Sequence, residues 1–223
     1  MKSLVPNFLT SSNLGFGVLS IILTAKGDLF YGALCILGSL VADALDGRSA
    51  RALGVSGEFG KELDSLGDVV SFGTASAFLI YTAALQELGW IGALAAIIYA
   101  VCGGLRLARF NLNTTVVHGY FMGVPIPTGG CLFATFVLSG VHIPAGLAAV
   151  LVVIMGYLLV SKVHNPDFKG KSADVLHKSA LVAALVIGVV LMYVAGWQII
   201  VCLPFALYVV FGLINTAINT FGK

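Results

Sequence analysis

The chain between Asp43 and Asp68 reads DALDGRSARALGVSGEFGKELDSLGD, and this stretch decides how the remaining sequence is interpreted. It contains two pairs of aspartates, Asp43 with Asp46 and Asp64 with Asp68. Spacings of three and four residues place both carboxylates of a pair on one face of a helix. Long apolar runs flank both pairs, and an ionisable group beside such a run indicates a functional site.

The charge of these carboxylates needs compensation. One turn after Asp43 and Asp46 stand a glycine and an alanine, and Lys61, three residues before Asp64, is the one favourably spaced cation. Carboxylates suit hard cations, and paired ions can clamp both oxygens of a phosphoryl displacement. We therefore expect two Mg²⁺ or Mn²⁺ ions at Asp43, Asp46, Asp64 and Asp68. Ion pairing with the chain's own basic residues and a cation-conducting path are the alternatives.

The composition is that of an integral membrane protein. Apolar residues make up 59% of the 223 positions and charged residues 10%. The apolar runs occupy nearly the whole length, which predicts an all-α fold and a single membrane domain over residues 1–223, with C-terminal helices from about residue 144. The four cysteines lie inside apolar runs without C-x-x-C spacing, so neither a disulfide framework nor a zinc site is indicated.

The apolar runs predict about eight transmembrane helices. An even number of spans places both termini, the aspartates and eleven of the twelve basic residues on one side, with Lys26 alone on the other. This positive-inside bias predicts a multi-pass protein of the cell membrane whose site faces the cytoplasm. Residues 47–59 are predicted to form a short polar connection. The eight spans are predicted at about 8–25, 29–45, 60–85, 88–108, 127–141, 144–160, 179–195 and 198–214.

The aspartate stretch resembles the signature of the CDP-alcohol phosphatidyltransferase family. That signature is D-x-x-D-G-x-x-A-R, then eight residues, then G-x-x-x-D-x-x-x-D. Members of the family transfer a phosphatidyl group, or its archaeal equivalent, from a CDP-linked lipid to an alcohol and release CMP. All eight defined positions are filled here, by Asp43, Asp46, Gly47, Ala50, Arg51, Gly60, Asp64 and Asp68.

The resemblance implies roles for individual residues. Gly47, Ala50 and Arg51 would contact the cytidine diphosphate, and Asp68 would be the catalytic base. Gly60 is added to the CDP-binding residues because a side chain beside the acid pairs would obstruct a bound ligand. The resemblance also implies contact with membrane lipids and a homodimer, and nothing in the sequence predicts nucleic-acid binding.

Four further segments resemble the serine-using members of the family. They are PNFLTSSNLGFG from Pro6, DSLGDVVSFG from Asp64, RLARFN from Arg106 and GVPIP from Gly123. The substrates implied are CDP-diacylglycerol and L-serine. Another acceptor, such as glycerol phosphate or inositol phosphate, and an archaeal CDP-ether-lipid donor are alternatives. A cation transporter is a more distant one, since the acid cluster has no counterpart in the second half of the sequence.

Arg106, Arg109 and Asn111 form a second candidate site. The two arginines lie three residues apart at a predicted helix end and therefore share a face. They are expected to bind an anion, either the serine carboxylate or a lipid phosphate. The alternatives are anchoring at the cytoplasmic membrane surface and compensation of the helix dipole.

Overall fold

The computed structural model describes residues 4–55, 57–113, 120–161, 164–166, 186–187, 189–190, 193 and 196–221. These residues are almost entirely helical, as the sequence predicts. One departure is an antiparallel ribbon of two three-residue strands, β1 (Tyr120–Met122) and β2 (His164–Pro166). The long helices of this part of the chain are α1 (Leu4–Ala25), α2 (Leu29–Leu53), α3 (Glu58–Leu88), α4 (Trp90–Asn113), α5 (Ile126–Ser139), α6 (Ala145–Val160) and α7 (Leu203–Phe221).

Four of these helices, α1 to α4, are long and apolar enough to cross a membrane. The apolar parts of α5, α6 and α7 are shorter. The structure thus supports a helical membrane protein, but it does not confirm the count of eight spans. The predicted span at 179–195 lies largely outside the described residues.

The polar connection predicted at 47–59 is much shorter in the structure. Helix α2 continues to Leu53, because no proline or internal glycine interrupts the segment after Gly47. It ends at Gly54, whose φ of 64° is left-handed and whose N–H faces the carbonyls of Ala50 and Arg51. Helix α4 likewise extends past the predicted end at residue 108, so Asn111 is helical.

Helix α1 buries its small and polar residues and exposes its large apolar ones. Phe8, Phe16 and Ile22, for example, are exposed. This arrangement suits a helix whose outer face meets lipid and whose inner face packs closely on other helices. The buried stripe recurs every three or four residues and consists of Pro6, Thr10, Asn13, Gly17, Ser20 and Thr24.

Helix α3 contains a π-helical stretch, Val69–Ala75, that begins directly after Asp68. Such stretches displace carbonyls from the regular ladder and often occur at functional sites. Here the carbonyl of Phe72 accepts hydrogen bonds from Ser76 Oγ and, at 3.0 Å, from the hydroxyl of Tyr99 on α4. Helix α5 approaches the same point so closely that a Cβ on Gly130 would lie 2.8 Å from the Cα of Phe72. The π-helical stretch is therefore fixed by two neighbouring helices.

Candidate active site

Two helices carry the four aspartates and bring three of them, Asp43, Asp64 and Asp68, into one cluster. Helix α2 carries Asp43 and Asp46, and helix α3 carries Asp64 and Asp68. Carboxylate oxygens of Asp43, Asp64 and Asp68 all lie within 4.8 Å of one another. This acidic cluster could hold a metal ion, as predicted from the spacing of the residues.

Asp46 lies beside this cluster and is itself buried. Its Oδ2 atom has no hydrogen-bond partner among the described residues. Leaving a buried carboxylate oxygen unsatisfied is costly, and a bound cation would remove that cost. The oxygen-only donor set fits Mg²⁺ or Mn²⁺ rather than a softer metal.

A cleft of about 230 Å³ opens next to the aspartates. It contains all four residues predicted to bind the cytidine diphosphate. Helix α2 presents Gly47, Ala50 and Arg51 on one face because it continues as a helix, and α3 contributes Gly60. Helix α1 forms another wall. The lining residues are Pro6, Asn7, Thr10, Asp46, Gly47, Ala50, Arg51, Val55, Gly57, Gly60, Lys61 and Asp64.

Asp68 lies deeper than the cleft, and its side chain is 7% exposed. The side-chain amide of Asn13, fully buried in α1, donates a hydrogen bond of 3.1 Å from Nδ2 to Asp68 Oδ1. Neither Asn13 nor Thr10, which lines the cleft, is among the site residues predicted from the sequence. Both lie within PNFLTSSNLGFG, where polar residues every three or four positions in an apolar helix are the signal that could have identified them.

Arg106 is a buried cation that lies near the aspartates. Its side chain is 6% exposed, and its Nε atom has no hydrogen-bond partner in the described part of the chain. The guanidinium lies close enough to Asp68 to interact with it electrostatically, and its Cζ is 5.5 Å from the centre of the Phe110 ring. Arg106 thus places a buried positive charge near Asp68.

Arg109 and Asn111 make different contacts. The two terminal nitrogens of Arg109 donate to the carbonyls of Val160 and Ser161, at 2.8 and 3.2 Å, at the end of α6. Asn111 Nδ2 donates to Ser65 Oγ at 2.9 Å and links α4 to α3. These contacts join helices, and the predicted role of both residues in binding the acceptor stays a prediction.

An acidic cluster that could hold a metal ion thus lies beside a cleft in a bundle of apolar helices. The CDP-alcohol phosphatidyltransferase family model matches residues 3–164, which include every residue of that site. The chain belongs to this family, as the signature indicated.

Curated relatives indicate which members of the family are similar to this chain. A Bacillus subtilis protein named CDP-diacylglycerol–serine O-phosphatidyltransferase is 37% identical over 76% of this chain and 94% of its own length. A Methanocaldococcus jannaschii protein of the same name is 33% identical and covers 92% of this chain and 91% of its own. An archaetidylserine synthase from Methanothermobacter thermautotrophicus is 36% identical over 76% of this chain and 72% of its own.

Proposed function

We propose that the protein transfers a phosphatidyl group from CDP-diacylglycerol to the hydroxyl of L-serine, giving phosphatidylserine and CMP. The observation that carries this proposal is the cluster of Asp43, Asp64 and Asp68 beside a cleft lined by Asp46 and the remaining signature residues. The similarity to relatives named for serine transfer supports the choice of acceptor.

The donor is proposed to bind in the cleft with its diphosphate towards the aspartates. Arg51 lines the cleft and offers a planar guanidinium that can donate two hydrogen bonds to phosphate oxygens. Gly47 of α2 and Gly60 of α3 line the cleft with backbone that carries no side chain, which leaves room for the nucleotide.

Asp43, Asp46, Asp64 and Asp68 are proposed to hold two Mg²⁺ or Mn²⁺ ions. When bound, such ions neutralise charge on the transferred phosphate and on the leaving CMP. Removal of divalent ions with a chelator should stop turnover, and Mn²⁺ should restore it. Calorimetry should also detect Mn²⁺ binding to the wild type and weaker binding to Asp43→Asn and Asp64→Asn. Unaltered affinity in both variants would place the ions elsewhere.

Asp68 is proposed to be the base. It takes the proton from the serine hydroxyl as that oxygen forms a bond to the phosphorus of the phosphatidyl group. The bond from this phosphorus to the bridging oxygen breaks, and CMP leaves with that oxygen. Burial of Asp68 keeps bulk water away from this step, which favours serine over water as the nucleophile.

Arg106 is proposed to bind the serine carboxylate. Among the three predicted acceptor residues, it combines burial, proximity to Asp68 and an Nε atom with no partner among the described residues. A cation at this place would hold serine with its hydroxyl near the base. Arg109 and Asn111 would then contribute to acceptor binding from the end of the same helix.

A comparison of acceptor alcohols tests the proposed reaction. CMP release from CDP-diacylglycerol should be fastest with L-serine and much slower with glycerol 3-phosphate or inositol phosphate. Faster release with either phosphate would overturn the choice of acceptor. Because one relative is an archaetidylserine synthase, the assay should be repeated with a CDP-linked ether lipid to identify the donor.

The site is proposed to face the cytoplasm in a multi-pass protein. Glu58 and Glu87 lie at opposite ends of α3, and both are exposed. In a background without native cysteines, Glu58→Cys should react with an impermeant maleimide only in inverted vesicles and Glu87→Cys only in intact cells. The reverse pattern would reverse the orientation. The implied homodimer rests on the family resemblance, and light scattering of the solubilised protein would test it.

A further inference from the structure

The side chain and the backbone of Asn13 contact both helices that carry the aspartates. Its Nδ2 donates to Asp68 Oδ1 on α3 at 3.1 Å. Its backbone carbonyl accepts a hydrogen bond from Ser71 Oγ on α3 at 2.8 Å and another from Ser39 Oγ on α2 at 3.2 Å. One fully buried residue of α1 therefore joins the helix of Asp43 to the helix of Asp68.

Helices α1 and α3 pack closely against each other around Asn13. A Cβ on Gly17 would lie 2.8 Å from the Cα of Ser71, so these backbones are nearly in contact. A Cβ on Gly67, the residue before Asp68, would lie 3.4 Å from Asn13 Nδ2. The second distance is an ordinary van der Waals contact, so Gly17 is the glycine that this close approach of α1 and α3 requires.

The contact between Asn13 and Asp68 has a defined direction. The Nδ2 group of Asn13 is the donor and Oδ1 of Asp68 is the acceptor. Asn13 therefore holds the carboxylate through Oδ1, and Oδ2 is the oxygen that would face the reacting hydroxyl.

We propose that Asn13 is a positioning residue that orients Asp68 for proton transfer. The proposal rests on the proposed role of Asp68 as base. Loss of the amide would leave the carboxylate free to rotate in its buried site while the donor cleft, which Asn13 does not line, stays intact. Groups that orient a reacting or metal-binding side chain from behind typically contribute 10- to 100-fold to activity or affinity.

Asn13→Leu tests this assignment, because leucine is close to asparagine in size but cannot donate a hydrogen bond. The variant should lower kcat by about 10- to 100-fold while the KM for CDP-diacylglycerol stays within about threefold of wild type. Thr24→Val is the matched control, since Thr24 is a buried polar residue of the same α1 stripe and lies outside the site. Its kcat should equal that of wild type, and Asn13→Ser serves as a second variant if leucine prevents folding.

A double-mutant cycle separates positioning from general damage to the fold. If Asn13 acts through Asp68, Asn13→Leu should cause no further loss of kcat in an Asp68→Asn background. Without added metal, the melting temperature of Asn13→Leu in detergent should also lie within a few degrees of the melting temperature of Thr24→Val. An additive loss of kcat, or a kcat for Asn13→Leu equal to that of wild type, would overturn the proposal. Serine-dependent CMP release by the wild type, measured alongside, tests the proposed function separately.

Discussion

The hydroxyl of Tyr99 donates a hydrogen bond of 3.0 Å to the carbonyl of Phe72, four residues beyond Asp68. Tyr99 is fully buried on α4, and Phe72 lies within the π-helical stretch of α3. The contact therefore ties the irregular backbone after Asp68 to a neighbouring helix. It links the stability of the bundle to the placement of the Asp68 carboxylate.

Removal of this hydroxyl should destabilise the protein. We expect Tyr99→Phe to lower the free energy of unfolding by roughly 1 kcal/mol, the usual net value of a buried hydrogen bond. For a chain of this size that corresponds to about 2–4 °C in melting temperature, measurable by thermal unfolding in detergent. Tyr157→Phe is the control, because Tyr157 is 67% exposed. Equal melting temperatures for the two variants would show that the contact contributes nothing.

Arg51→Lys tests the donor site. Lysine keeps the charge but loses the planar pair of donors that suits a diphosphate. We expect the KM for CDP-diacylglycerol to rise about 10-fold, equivalent to roughly 1.4 kcal/mol, with the KM for serine little changed. Arg48→Lys is the matched control, since Arg48 lies on the same helix but does not line the cleft. A larger effect at Arg48 would place the nucleotide on another face of α2.

Arg106 and Arg109 can be separated by kinetics. Arg106→Gln should raise the KM for serine by about 10- to 150-fold, since a hydrogen bond to a charged group contributes ~1.5–3 kcal/mol. Arg109→Ala should instead lower the melting temperature, because Arg109 donates to two carbonyls at the end of α6. Steady-state rates with each substrate varied in turn give the KM for serine and the KM for CDP-diacylglycerol of each variant. A comparable rise in serine KM for Arg109→Ala would include Arg109 in the acceptor site, in agreement with the spacing of the two arginines.

The helical class and the grouping of the aspartates were predictable from local pattern. Spacings of three and four residues fix which carboxylates share a helix face, and long apolar runs identify membrane helices. The signature residues Gly47, Ala50 and Arg51 line one cleft for the same reason, since they too lie one turn apart on α2.

Contacts between distant parts of the chain were not predictable in this way. Asn13 and Asp68 are 55 positions apart, and no periodicity relates them. The predicted end of the second span, at residue 45, is too early. Polar residues after Gly47 are typical of a connection, but in the structure they continue α2 as far as Leu53. Arg109 shares a helix face with Arg106, yet the position of α6 determines what Arg109 contacts.

The most direct test of the account is the rate of CMP release by Asp68→Asn at saturating CDP-diacylglycerol and serine. Asparagine keeps the shape of the side chain but cannot take the proton from the acceptor hydroxyl. We predict a loss of about 10²- to 10⁴-fold in kcat, the usual contribution of a general base, with the affinity for CDP-diacylglycerol within about threefold of wild type. A turnover rate equal to that of the wild-type enzyme would contradict the assignment of Asp68 as the base.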